Sequence, residues 1–92
     1  MSDVTTEQVI YSGRVQGVGF RYAVRSIAKR HPVKGYVKNL SDGSVELMVQ
    51  GLPQAIEALL GEIASQFGEN IRHCERRPVE APEVFEFFKI RF

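Results

Sequence analysis

Gly13-Arg14-Val15-Gln16-Gly17-Val18-Gly19-Phe20-Arg21 joins two segments of different hydrophobic period. Before it, Val9 to Val15 reads as a strand, with Val9, Tyr11 and Val15 on one face and Ile10 on the other. After it, Phe20, Ala23, Val24, Ile27 and Ala28 recur at helical spacing, which predicts a helix over Phe20 to Arg30 with Arg25, Lys29 and Arg30 on its solvent side. A chain that turns through glycines into a helix can point its N–H groups inward around an anion. The helix dipole favours the same charge at the same place. Arg21 falls in the first helical turn, where a cation opposes the dipole at a cost of up to about 1 kcal/mol. An anion held between the amides and the guanidinium would turn that liability into a site, and arginine grips phosphate with two parallel hydrogen bonds. The run fits neither common nucleotide loop. No Lys-Ser or Lys-Thr follows the glycines, and their positions at 13, 17 and 19 do not make G-x-G-x-x-G. The plainer alternative is a tight turn beside a solvated arginine.

Working outward, Pro32 stops the first helix. Tyr36 to Leu40 and Val45 to Gln50 read as strands around Ser41-Asp42-Gly43-Ser44, and Asp-Gly between such runs is a strong hairpin signal. Pro53 suits the start of a second helix with the apolar stripe Ile56, Leu59, Leu60, Ile63 and Phe67, and Gly68 suits its C-terminal cap. Gly61 inside that helix costs about 1 kcal/mol against alanine, so a close neighbour is expected there. Ile71 to Val79 is a weaker, charge-rich strand, and Val84 to Phe92 closes the chain as a strand with apolar residues on both parities. The order predicts an α+β fold, a ferredoxin-like βαββαβ sandwich. Its two helices pack on one face of a mainly antiparallel sheet, and an extra C-terminal strand follows. Residues 1–7 are expected as a flexible polar tail and 8–92 as one domain.

Composition narrows the function. Ninety-two residues with 43% hydrophobic and 25% charged content make one ordinary small domain. Twelve basic and eleven acidic residues give a net charge of +1, against the basic excess of a nucleic-acid or membrane-surface binder. Cys74 is the single cysteine, which excludes an internal disulfide, and one cysteine with two histidines at these spacings builds no zinc site. Asp42 and Glu46 form no paired cluster, so no metal and no cofactor is expected. The polar N-terminus carries no apolar signal core, and no segment approaches a membrane-spanning length, so the expected location is the cytoplasm.

Two segments together resemble the signatures of the acylphosphatase family. One is Gly13 to Arg21. The other is Gly35-Tyr36-Val37-Lys38-Asn39-Leu40-Ser41-Asp42-Gly43-Ser44-Val45-Glu46, followed by Gly51. The aromatic ending Phe87-Phe88-Lys89-Ile90-Arg91-Phe92 and the length are similar as well. Tyr36 stands where a tryptophan is common, and the likeness weakens between Gln66 and Pro82, where a Gly-Pro or small-residue stretch is usual.

The resemblance implies hydrolysis of the carboxyl-phosphate anhydride of acyl phosphates by a monomer. Arg21 and the amides of Gln16, Gly17, Val18, Gly19 and Phe20 would hold the phosphoryl group, a site that inorganic phosphate or sulfate is also expected to fill. Asn39 would orient water, since an amide both donates and accepts. Read alone, Asn39 is better explained as a strand end bonded to the turn backbone, since asparagine is a common turn residue. The resemblance also implies that a substrate oxygen takes the water's proton, since His31 and His73 lie outside both segments. Cys74 reads as a plain buried or edge thiol and Arg14 as supporting or solvated. The rival reading is a non-catalytic regulatory module, or a phosphate- or RNA-binding one. Lys34-Gly35-Tyr36-Val37 only faintly echoes the RNA-binding signature, whose further stacked aromatics are missing.

Overall fold

The computed structural model describes residues 3–80 and 82–92. Its elements are β1 (Thr5–Gly13), α1 (Phe20–Ala28), β2 (Lys34–Asn39), β3 (Val45–Gly51), α2 (Pro53–Phe67), β4 (Ile71–Pro78) and β5 (Phe88–Arg91). The sheet order is β4-β1-β3-β2-β5. β3 is antiparallel to both β1 and β2, which makes β1 and β2 parallel with α1 crossing between them. β4 is antiparallel to β1, so β3–α2–β4 repeats the same split crossover. β5 adds to the outer edge of β2 in parallel. This is the expected ferredoxin-like α+β sandwich.

The core lies between the helices and one sheet face. Val9, Val37, Leu47 and Val49 meet Val24, Ile27, Ile56, Leu59 and Ile63 there, all at most 2% exposed. Each such side chain contributes about 1.5–3 kcal/mol by leaving water. Phe20 is wedged edge-on between Tyr11 and Phe67, with ring centroids 5.3 and 4.9 Å away.

Several boundaries differ from the sequence reading. Met1 and Ser2 of the expected tail lie outside the described residues, but Thr5, Thr6 and Glu7 already pair with Gly51, Gln50 and Val49. Thr6 is buried and its hydroxyl accepts from the Gln50 amide, so polar side chains hold this end of β1 where apolar ones were sought. β1 stops at Gly13, not Val15, because the register shifts between Ser12 and Gly13 and the Arg14 amide turns to the Asn70 carbonyl. α1 ends at Ala28, two residues short of Arg30, and a looser turn runs on to Pro32. The last strand is four residues long. Val84 is 90% exposed, and Phe85 folds instead against Tyr36 at 6.0 Å between centroids. Among the described residues nothing lies within 4 Å of a Cβ added at Gly61, contrary to expectation. A side chain there would meet open space beside α2.

On the sheet face away from the helices, the Tyr36 hydroxyl donates to Glu46 Oε1 at 2.8 Å, and the Gln8 amide donates to Glu46 Oε2 at 2.6 Å. The Arg91 guanidinium lies 4.0 Å from the Tyr36 ring centroid. Burial, and then the bond to Glu46, pushes the Tyr36 phenol up to about 12. The unfolded chain releases that proton near pH 10. The contribution of this group to stability is therefore full below about pH 10 and lost as pH rises through about 12. Tyr36→Phe is expected to flatten the alkaline decline of the melting temperature, and an unchanged decline would show that this phenol is not linked to unfolding. Gly61→Ala is expected to stabilise by up to about 1 kcal/mol. Gly35→Ala should prevent folding or destabilise severely, since its Cβ would sit 1.8 Å from the Met48 carbonyl oxygen. Melting curves of the two variants check both.

Candidate active site

The parallel strands β1 and β2 end at the same edge of the sheet, and the loop from β1 to α1 crosses there. Tyr11, Val45 and Asn39 form one row across β1, β3 and β2. Val37 and Val45 face the helices with no exposure, and the strand period puts Asn39 on that same face. A polar residue thus occupies a position whose pattern calls for an apolar one. Asn39 Oδ1 is buried and has no hydrogen-bond partner among the described residues. Such an acceptor costs about 1–3 kcal/mol when left unpaired, which marks the position as more than a strand end.

The loop opposite it is held at both ends. Val15 and Phe20 are each 1% exposed, and Gly17, Val18 and Gly19 between them are exposed. Gly17 and Gly19 adopt φ of 76° and 78°, the left-handed region that glycine enters without strain. An added Cβ at either would meet nothing within 4 Å, so conformation and not crowding selects glycine here. At Gly13 a second reason is added. Its φ of 121° already disfavours a side chain, and a Cβ would lie 2.4 Å from the Asn70 carbonyl oxygen. No side chain caps α1 and no acid sits in its first turn. Among the described residues the amides of residues 16–20 donate to no other backbone group outside the regular elements. They remain free for an anion.

Val15, Gly17, Gly19, Phe20, Arg21, Tyr22 and Asn39 line one cavity of about 200 Å³. The structure therefore brings Arg21 and Asn39 together with the glycine loop. Phe20 also belongs to the core, where its ring packs against Tyr11 and Phe67. Gln16 does not line the cavity. Its side-chain amide donates to the Leu40 and Ser44 carbonyls, both at 2.8 Å. Phe92 was not foreseen here. Its ring centroid lies 4.9 Å from the Arg21 guanidinium carbon, and the only signal for it was the aromatic ending of the chain.

Other titratable groups lie elsewhere. His31 Nε2 is 2.7 Å from Glu62, which also binds Arg30 at 2.6 Å, and these bonds hold the Glu62 carboxyl below its ordinary range. His73 is exposed on β4. Cys74 lies on the same edge strand, and partial burial pushes its thiol up, away from a reactive thiolate. A roomier cleft of about 600 Å³ lies beyond the C-terminal end of α1, near Lys29, Pro32 and Phe87. Neither the glycine-loop residues nor Asn39 line it. Among the described residues no group of three His, Cys, Asp or Glu is placed to hold a metal ion. No described helix is long and apolar enough to cross a membrane.

The family model for Acylphosphatase matches residues 7–90. The chain belongs to the acylphosphatase family. It is 43% identical to the acylphosphatase of Yersinia pseudotuberculosis over the full length of both. It is similar to the crystal structure of the acylphosphatase from Bacillus subtilis, with a TM-score of 0.84 and 28% identity over 97% of this chain and 99% of that one. The same fold matches part of T. kodakarensis HypF, with a TM-score of 0.79 and 30% identity over 97% of this chain but 12% of that one. Family and fold make this protein an acylphosphatase, an enzyme of acyl phosphate hydrolysis. Gly19→Ala is expected to lose about 1–2 kcal/mol of stability through left-handed strain, and Gly19→Asn less, because asparagine tolerates that region. Equal losses in denaturant titrations would refute a conformational role for this glycine.

Proposed function

We propose that Arg21 and the amides of Gln16, Gly17, Val18, Gly19 and Phe20 hold the phosphoryl group of an acyl phosphate while Asn39 orients the attacking water. The observation that carries this reading is the buried, unpartnered Oδ1 of Asn39, on the cavity that Arg21 also lines. A water donating to that oxygen is positioned to attack phosphorus. The water oxygen–phosphorus bond forms, the bond from phosphorus to the acyl oxygen breaks, and a carboxylate leaves with that electron pair. Among the described residues no carboxylate or imidazole lines the cavity, so the water's proton passes to a phosphoryl oxygen of the substrate. The protein supplies position and charge stabilisation, which dominate phosphoryl transfer.

The reading extends to a monomer acting in the cytoplasm on small acyl phosphates, without metal or cofactor. Inorganic phosphate or sulfate would compete for the loop. Nothing in the cavity reads an acyl group by charge except Arg21, which supports broad tolerance at that end. An RNA-binding reading is less well supported, because the aromatic on the free sheet face, Tyr36, is covered by Arg91 and Phe85. Similarity to one part of HypF keeps a module within a longer protein as the second reading.

Benzoyl phosphate hydrolysis in the presence of EDTA tests the proposal. The wild type should turn over. Arg21→Gln should stay folded, lose roughly 10²–10³ in rate and bind inorganic phosphate weakly. Asn39→Ala should lose turnover but keep phosphate binding. Normal turnover by Asn39→Ala would overturn the water-orienting role. A folded but inactive wild type would favour the regulatory module.

A further inference from the structure

We infer that the Gln16 side chain is a positioning residue, one that sets the separation between the phosphate loop and the water-orienting asparagine. The inference rests on the roles proposed above for Arg21 and Asn39. Gln16 has two amide protons, and both are used on the β2–β3 turn, at Leu40 and at Ser44. These two residues flank one cross-strand pair. Leu40 follows Asn39, Ser44 precedes Val45, and Asn39 pairs with Val45. The same two carbonyls also close the turn. Ser44 O accepts from the Leu40 amide at 2.8 Å, and Leu40 O accepts from the Gly43 amide at 3.2 Å. Asp42 locks the turn from outside through Ser44, whose amide donates to Asp42 Oδ1 at 2.9 Å. One side chain from the glycine loop is thereby fastened to a rigid turn on both sides of Asn39.

The arrangement answers a geometric need. Arg21 and the loop amides come from the β1–α1 connection, and Asn39 comes from the end of β2. β3 runs between β1 and β2 in the sheet, so no backbone ladder joins the two parts of the site directly. A cavity of about 200 Å³ leaves little slack, and misplacement by 1 Å can cost about a hundredfold in rate. Gln16 spans that break. Its backbone amide remains part of the proposed cradle, while its side chain faces away from the anion.

Gln16→Met keeps length and removes both donors. Its kcat for benzoyl phosphate is expected to fall at least tenfold, with inhibition by inorganic phosphate within about threefold of wild type. The double variant with Asn39→Ala should lose much less than the product of the two single losses, because both act on the same water. Gln16→Glu adds a readout that a merely structural role would not move. Its carboxylate repels the two carbonyls, but its protonated form donates one bond. Its activity relative to wild type should rise as pH falls, while that of Gln16→Met stays flat. A Gln16→Met kcat within twofold of wild type, a parallel loss of phosphate affinity, or an additive double variant would each overturn the inference. Should Gln16→Met not fold, the pH profile of Gln16→Glu decides alone. An inactive wild type would refute the proposed function instead. In that case the side-chain amide resonances of Asn39 settle the positioning claim, since Gln16→Met should shift them while those of Asn70 stay in place, and unmoved Asn39 signals would refute it.

Discussion

The site depends on two buried anchors. Val15 and Phe20 are each 1% exposed and bracket the four residues from Gln16 to Gly19. With both ends fixed in the core, the loop has little freedom left, and its amides hold their directions before any anion arrives. Preorganised dipoles of this kind need no reorganisation during the reaction. Phe20 carries most of this constraint. It is at once the first residue of α1, the wedge between Tyr11 and Phe67, and the neighbour of Arg21. Packing of the core and placement of the guanidinium are therefore one event. Removing that ring would cost about 3–5 kcal/mol and would loosen the glycine loop together with the fold.

Local stability is given up around this point. α1 begins without a side-chain cap and with a cation in its first turn, and Asn39 holds a buried acceptor without a partner. Each departs from what a stable helix or core would select, and all lie around a single cavity. Sites where local rules fail together are where function is expected to be concentrated. The compensation is found nearby, in the fully buried apolar rows of β1 and β3 and in the aromatic cluster around Phe20.

Legibility of the chain followed the physics of each signal. The helices, the Asp-Gly hairpin and the glycine loop were readable because periodicity and turn chemistry act locally. Arg21 stood out because it violates the dipole rule. Asn39 was readable through its likeness to a family segment, while its parity with Val37 gained meaning only once the fold showed that this parity faces the helices. The first turns of β1 were not readable, because Thr5 to Gln8 are polar and their order comes from pairing with β3. Val84 to Phe87 misled, since aromatic alternation resembles a strand even where Phe85 serves as a cover for Tyr36. Gln16 was placed in the loop for its backbone, and its side-chain partners lie 24 and 28 residues away, beyond any local pattern.

The chemistry follows from what the cavity lacks as much as from what it holds. Its polar lining residues are an arginine, an asparagine and a tyrosine. With no carboxylate or imidazole among its described lining residues, the proposed reaction would draw its acid–base chemistry from the reacting phosphoryl group. That mechanism would favour substrates whose leaving group departs without protonation. A carboxylate does so readily, while an alkoxide does not. In the proposed site, a neutral amide opposite a guanidinium would suit acyl phosphates better than ordinary phosphate esters, with no pocket needed to tell the two apart.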